Sequence, residues 1–428
     1  MYTLTHHPTV RLILNVCRYV CVFFFIFLLP TQLTKHYWPS WSYVQGIGID
    51  YLAFKISVLD ILSIIIVILH WQHYLSFSKI VKGISTLIIL LGMLNSFFAV
   101  REIHTLLLWI GLASHTLALL IIVKNIRKYL TIIVVGIATS TAIQIILVMM
   151  QFMSQSSIQG VWYWLGERKI IMSLPDIAKI YVNGREFLRP YGTFSHPNAL
   201  GGYYMLLFFF MIWFKKNILH TRLQILGANI VIFICPYLIL SSFSKTAIIG
   251  FVIGSIILIL NDKVYRKCKF CLVARVVMLL TITFIFAQLS GDPDSLTKRW
   301  VLIQNALQVI AQYPLWGVGF GNYVAAQATI LMPMKFSSLF QPVHNVLLLV
   351  ISEFGIGGLT VIYMIIRRLM GIGIRYVLPM SIALPVIITM MMDHYWVTAI
   401  QNQTLIIFVA MFLILKASNK TDVTINNR

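Results

Sequence analysis

The sequence predicts an all-α polytopic integral membrane protein of about 12 transmembrane helices with two long outer-face loops containing amphipathic helices. Three observations carry that reading. Of 428 residues, 59% are hydrophobic and only 11% are charged, whereas a soluble domain is nearer a quarter charged. Apolar stretches of roughly 20 residues, the length that crosses a bilayer, recur along the chain. Lysines and arginines gather in alternate short connections between those stretches, as cytoplasmic loops do. A single membrane domain, residues 1–428, with the lipid bilayer as its solvent, is expected.

The elements follow in order. The first stretch, within "RLILNVCRYVCVFFFIFLLP", is long and lacks a small-residue cleavage site, so it reads as a span rather than a removed signal. The expected spans are 11–30, 51–70, 83–100, 104–123, 129–150, 199–214, 223–241, 246–261, 271–288, 344–366, 377–392 and 399–416. Alternation places five basic clusters on the cytoplasmic side with both termini. They are Lys79 and Lys82; Lys124, Arg127 and Lys128; Lys215, Lys216 and Arg222; Lys263, Arg266, Lys267 and Lys269; and Arg367, Arg368 and Arg375, with Lys416 after the last span. The long connections, 151–198 and 289–343, then face outward. In the second, Trp300, Ile303, Leu307 and Ile310 recur at helical spacing, the mark of an amphipathic helix near the membrane interface. No internal repeat of the transporter kind is visible.

The net charge of +21 resides in those short clusters, and no nucleic-acid-binding module is present, so nucleic acid is not an expected partner. The five cysteines lie in or beside apolar runs. Cys268 and Cys271 form a lone CxxC, half the ligands of a structural zinc site, and read as thiols at the membrane edge.

Ionisable groups in or beside the membrane are costly and mark functional positions. Here they collect on one side of the expected topology: Arg189, His196 and Asn198 before the sixth span, Lys245 in "SSFSKTA", His344 and Asn345 opening the tenth, and Asp393 and His394 in the last outer turn. Arg189 offers a planar fork suited to a phosphate or diphosphate, or else it snorkels to lipid headgroups. Pro190, Gly192 and Pro197 around it set a turn, which favours a built site. Lys245 either takes a second phosphate or anchors its helix end. His344 serves as a general base, orients a hydroxyl, or is an interfacial histidine without chemistry. In a continuous helix Gly355 and Gly358 share the His344 stripe and admit a neighbouring helix. Glu353 points about half a turn away and reads as a buried structural partner.

Other features weigh less. "GVGFGNY" resembles a nucleotide loop without the strand–loop–helix context and reads as a turn. Asp292 and Asp294 in "GDPDS" are weak metal ligands alone. Lys55 and Asp60, five apart, pair poorly along a helix and read as structural or cavity-lining.

These residues together resemble the O-antigen ligase and polymerase superfamily. His344-Asn345, the nine residues Val346 to Phe354, and Gly355-Ile356-Gly357-Gly358 match the ligase signature position for position. "RPYGTFSHPNALGG" is similar to the family's arginine-containing segment, "RWVLIQNALQVIAQYPLWGVGFGNY" to its outer-loop helix and Pro-x-x-Gly-x-Gly turn, and "DHYW" also fits. The resemblance covers roughly residues 185–400.

The resemblance implies a GT-C-like membrane glycosyltransferase of a bacterial inner membrane, with its site on the periplasmic or extracellular face. The donor would be an undecaprenyl-diphosphate-linked glycan, and the acceptor a hydroxyl of a glycolipid such as lipid A core, or of another glycan. Arg189 would bind the donor diphosphate and His344 would activate or position the acceptor. Lys245 stands where the family commonly has a second arginine, which keeps the charge and loses the fork. Asn345, His196, Asn198, Gly355, Gly358, Asp393 and His394 would support the site. No cofactor and no metal is expected, and the reaction would invert the anomeric centre. The alternatives are a repeat-unit polymerase, a protein O-oligosaccharyltransferase, and a lipid-linked glycan transporter or flippase.

Overall fold

The computed structural model describes residues 8–74, 79–173, 177–182, 184–261, 273, 276–281, 284, 286, 295–330, 339–371, 374 and 378–426. Cys268, Cys271, Asp292 and Asp294, the basic cluster at 263–269 and most of the expected span 271–288 lie outside these. Fifteen α-helices are described: α1 (Pro8–Phe27), α2 (Val58–Leu69), α3 (Trp71–Tyr74), α4 (Lys79–Phe97), α5 (Glu102–Lys124), α6 (Ile126–Ser154), α7 (Pro197–Asn217), α8 (Arg222–Ser241), α9 (Lys245–Asn261), α10 (Ser295–Gln312), α11 (Tyr323–Ile330), α12 (Val346–Gly371), α13 (Met380–Met392), α14 (Tyr395–Thr398) and α15 (Ile400–Asn426).

By length and composition seven of these are able to cross a membrane: α1, α5, α6, α7, α8, α12 and the apolar part of α15. Four shorter apolar helices join them: α2, residues Ser85–Phe97 of α4, α9 and α13. In water a helix with Leu223, Leu226, Phe233 and Tyr237 all exposed, as in α8, would aggregate; against lipid those side chains are solvated.

The second expected span is shorter than its apolar run suggests. Residues Asp50–Leu52 form a 3-10 turn and β4 (Phe54–Ser57) pairs antiparallel with β1 (Thr34–Tyr37). Helix starts only at Val58, where Ser57 and Asp60 close a reciprocal capping box, worth about 1 kcal/mol. The sequence candidates Lys55 and Asp60 thus belong to different pairs. Lys55 Nζ meets Asp50 Oδ2 at 2.8 Å, and Asp60 Oδ1 meets His115 Nε2 at 3.0 Å.

The expectation of amphipathic helices in both long loops fails for the first. Among its described residues it holds a 3-10 turn (Gly160–Leu165) and a hairpin of β5 (Lys179–Val182) and β6 (Arg185–Leu188). Gly160, Gly166 and Gly184 all take positive φ there and interrupt any helix. With β2 (Tyr43–Val44) paired to β3 (Ile47–Gly48), the described residues hold three small two-stranded sheets among the helices. In the second loop α10 forms as expected. It turns Leu302, Ala306 and Val309 inward and leaves Trp300 and Leu307 exposed, an apolar outer face fit for the interface.

Helix α7 is the hub. Most of its residues are buried, and it packs on α8, α9, α13 and α15. Two of its glycines bring the site elements close. A Cβ at Gly201 would stand 2.5 Å from Ser242 Oγ, and one at Gly202 would run into the Tyr395 ring. The α8–α9 turn and α14 therefore both press against the first turns of α7.

Helix α12 is broken. Gly355 has φ 61° and ψ −168°, so the even helical projection that put Gly355 and Gly358 on the His344 stripe does not hold. The opened backbone is paired by the "PLWGVGF" turn. Val318 N donates to Ser352 O (2.9 Å), Gly319 N to Glu353 O (3.0 Å), Ile356 N to Pro314 O (2.9 Å) and Gly357 N to Leu315 O (2.8 Å). A Cβ at Gly355 would sit 2.5 Å from the Leu315 carbonyl. The glycines admit a loop, not a helix, and satisfy the rule that unwound backbone at membrane depth must be bonded by protein.

Candidate functional site

The polar residues singled out in the sequence meet where five chain segments end. The Arg189 Nε donates to Ser242 O (3.0 Å), in the turn before α9, and its Nη2 to Asn198 Oδ1 (2.6 Å), in the first turn of α7. Asn198 Nδ2 in turn donates to Asp393 Oδ2 (2.7 Å), just past α13. Asp393 Oδ1 lies 3.3 Å from His344 Nδ1, just before α12, and accepts from the His394 backbone N–H (2.8 Å). One connected chain, Arg189–Asn198–Asp393–His344, thus joins a cation to an imidazole. The His344 and His394 rings lie 4.9 Å apart between centroids, and His394 Nδ1 is 2.8 Å from Thr398 Oγ1.

Burial sets the protonation states. Asp393 is buried, at 3% exposure. Burial alone would raise its carboxyl, but the hydrogen bond from His344 leads the contributions that hold it well below the usual carboxylate range. Arg189 is pushed down to about 10 by burial and stays charged at neutral pH. His196 is pushed down to about 3, first by burial and then by Arg189, and His394 to about 4 by burial and His344. Both are neutral near pH 7. The neutral His196 has a structural use, since its Nδ1 accepts from Asn198 N (3.1 Å) and caps α7.

Asn345 is likewise a cap. Its Oδ1 accepts from Leu348 N (3.0 Å) and its Nδ2 donates to Met391 O (3.1 Å), which fixes the start of α12 beside the end of α13. His344 precedes the helix, and its side chain is 21% exposed, open to a reactant. Lys245 is the first residue of α9 and exposed; it lies three residues beyond the carbonyl that Arg189 grips. Gly355 and Gly358 stand apart from this cluster and shape the break in α12.

Sequence reasoning missed Arg299. It sits on α10, which was read only for its apolar stripe, and its Nη1 donates to Met392 O (2.9 Å) next to Asp393. The Lys298-Arg299 pair at the start of that helix was the available signal. Glu353 is the buried partner it was read to be. Its Oε1 accepts from Tyr51 Oη (2.6 Å), Gly321 N (3.0 Å) and Tyr323 N (3.4 Å), so it clamps the glycine turn to the broken helix. The turn reading of "GVGFGNY" holds, with Gly317, Gly319 and Gly321 all at positive φ.

A charged fork, an imidazole backed by a buried carboxylate, and further cations thus meet at one end of the helical bundle. Residues 230–363 match the family model described as O-antigen ligase. The matched segment includes Lys245, Arg299 and His344; Arg189 precedes it and Asp393 follows it. A search of curated proteins gave no match.

Proposed function

We propose that the chain transfers a glycan from an undecaprenyl-diphosphate carrier to an acceptor hydroxyl, with inversion and without a metal, at the outer face of a bacterial inner membrane. The observation that carries this reading is the continuous Arg189–Asn198–Asp393–His344 connection, which sets a phosphate-binding cation and a proton acceptor on one rigid frame. Asp393 accepts from His344 Nδ1, which leaves Nε2 to take the proton of the acceptor hydroxyl, the orientation that a carboxylate imposes on a catalytic histidine. The hydroxyl oxygen bonds to the anomeric carbon from the side opposite the diphosphate. The bond from that carbon to the diphosphate oxygen breaks, and its electron pair leaves with the diphosphate.

Arg189, Lys245 and Arg299 supply the positive charge that the leaving group needs. Preorganised charge aimed at the atoms where negative charge develops is commonly the largest contribution to such catalysis. The start of α7 and the start of α9 lie beside Arg189, so the positive ends of two helix dipoles add to the same field. Ligation to a lipid A core and polymerisation of repeat units share this chemistry; the ligase reading is preferred because His344-Asn345 and Gly355 to Gly358 match the ligase signature.

The test uses purified chain in nanodiscs with a lipid-linked donor and, separately, lipid A core, repeat-unit and protein acceptors. His344→Ala and Asp393→Asn should each lower transfer by about 100-fold or more, as loss of a general base does, while the proteins remain inserted and monodisperse. Normal transfer by His344→Ala with every acceptor would refute the assignment.

A further inference from the structure

We propose that His344, Asp393 and His394 also form a binding site for a zinc-class divalent cation, and that its occupancy shuts the transfer site. The inhibitory half rests on the proposed role of His344; the binding half does not.

The donor set comes first. Two imidazoles and one carboxylate offer ligand atoms that all lie within 4.8 Å of one another, the one such group among the described residues. Nitrogen donors joined to a single carboxylate suit zinc and its neighbours rather than calcium or magnesium, which take oxygen cages.

The spacing then separates two interpretations of one contact. His344 Nδ1 and Asp393 Oδ1 are 3.3 Å apart. A charge-assisted hydrogen bond between such groups is normally about 2.7–2.9 Å, and the other contacts of Asp393 meet that standard, at 2.7 Å to Asn198 and 2.8 Å to the His394 amide. Two ligand atoms about 2.0–2.1 Å from a tetrahedral zinc are separated by about 3.3 Å. The contact is a long hydrogen bond in the metal-free chain, and the same spacing matches one edge of a metal tetrahedron. His394 offers the third ligand atom, within 4.8 Å of the other two, and a fourth position remains for water or an oxygen of the substrate.

The surroundings hold these ligands as outer-shell groups do. Asn198 fixes the free carboxylate oxygen and Thr398 fixes one nitrogen of His394, the type of contact that orients first ligands in metal sites. The neighbouring cations sharpen selectivity. Arg189 and Arg299 both act electrostatically on these groups, so an ion must bind against two fixed positive charges. Weak binders are excluded, and ions high in the order of intrinsic affinity, such as zinc and copper, are retained. A His344 whose Nδ1 lone pair is on a metal carries its proton on Nε2 and has no site left to accept one from a hydroxyl.

The experiment uses tag-free full-length chain in nanodiscs without substrate, titrated with Co2+ as the spectroscopic probe. The expected result is one saturable equivalent with the visible bands of low-coordinate cobalt, displaced by Zn2+. His394→Gln, which keeps a side chain able to reach Thr398, and Asp393→Asn should each weaken binding at least tenfold. His36 lies in β1 and pairs with Asp50, so His36→Ala should leave binding unchanged. Absence of a saturable equivalent, or equal binding by wild type and His394→Gln, overturns the site. In the transfer assay, saturating zinc should lower the rate at least tenfold and a chelator should restore it. Transfer indifferent to saturating zinc overturns the inhibitory half. Cobalt binding in a chain that transfers nothing would instead refute the proposed function and leave the metal site standing.

Discussion

Replacing Gly355 by alanine tests whether the break in α12 is built or incidental. Gly355 combines φ 61° with ψ −168°, a region open essentially to glycine, and an alanine held there costs about 1–3 kcal/mol. The new Cβ would also lie 2.5 Å from the Leu315 carbonyl and 2.6 Å from Gly317 N, so the turn must retreat. Four backbone hydrogen bonds clamp that turn to the opened helix. Losing two of them at about 0.5–1.5 kcal/mol each adds roughly 1–3 kcal/mol. The expected loss is therefore about 2–6 kcal/mol. Equilibrium unfolding in mixed micelles, followed by tryptophan fluorescence, measures it. Gly371→Ala is the control, because nothing lies within 4 Å of its Cβ position. Gly355→Ala within about 0.5 kcal/mol of wild type, the ordinary scatter of surface substitutions, would refute the reasoning.

Two further outcomes follow from the same geometry. Arg189→Lys keeps the charge but cannot hold both Ser242 O and Asn198 Oδ1, and hydrogen bonds to a charged group are worth about 1.5–3 kcal/mol. Transfer should fall about 10- to 100-fold, with a higher KM for the lipid-linked donor; an unchanged KM in steady-state kinetics would count against Arg189 as the diphosphate ligand. The depressed His196 and His394, at about 3 and about 4, make stability depend on pH. The unfolded chain binds protons on these rings below about pH 6.5 and the folded chain does not. Their contribution is thus fully present above about pH 6.5 and is lost progressively as pH falls towards 4. The thermal midpoint should drop over that window, and His196→Asn, which preserves a capping side chain, should flatten the drop.

What was legible in the sequence is what the bilayer makes expensive. Arg189, Asn198, His344, Asp393 and His394 stood out because polar groups at the ends of apolar runs need a reason, and these five converge. Arg299 did not stand out, because a cation on a helix already explained as amphipathic raises no question. The second span was overextended because apolarity says nothing of strand against helix over "YLAFKIS", although the Ser57–Asp60 capping box marked the true start. The break at Gly355 was invisible for a different reason. A glycine in an apolar helix reads as a packing site, and only the docked Pro314–Gly319 turn reveals that it is a hinge in the backbone.

The same convergence explains why Asp393 is the acid that the site tolerates. In the proposed reaction the diphosphate leaving group needs a positive field, and any free carboxylate nearby would repel it. Asp393 avoids this by being fully engaged. Asn198 and the His394 amide hold its two oxygens, and His344 faces the same carboxylate. Its negative charge is spent on orienting the imidazole, while Arg189 is connected to it through the neutral amide of Asn198 rather than in a direct ion pair. A direct Arg189–Asp393 bridge would cancel the cation against the acid and leave a phosphate nothing to bind. Asn198 is therefore the residue that keeps the two charges apart. Asn198→Asp should collapse this arrangement, joining Arg189 to a carboxylate and setting two carboxylates side by side, and transfer should fall as steeply as in Asp393→Asn. A variant that keeps wild-type transfer would show that the separation of charges has no part in the chemistry.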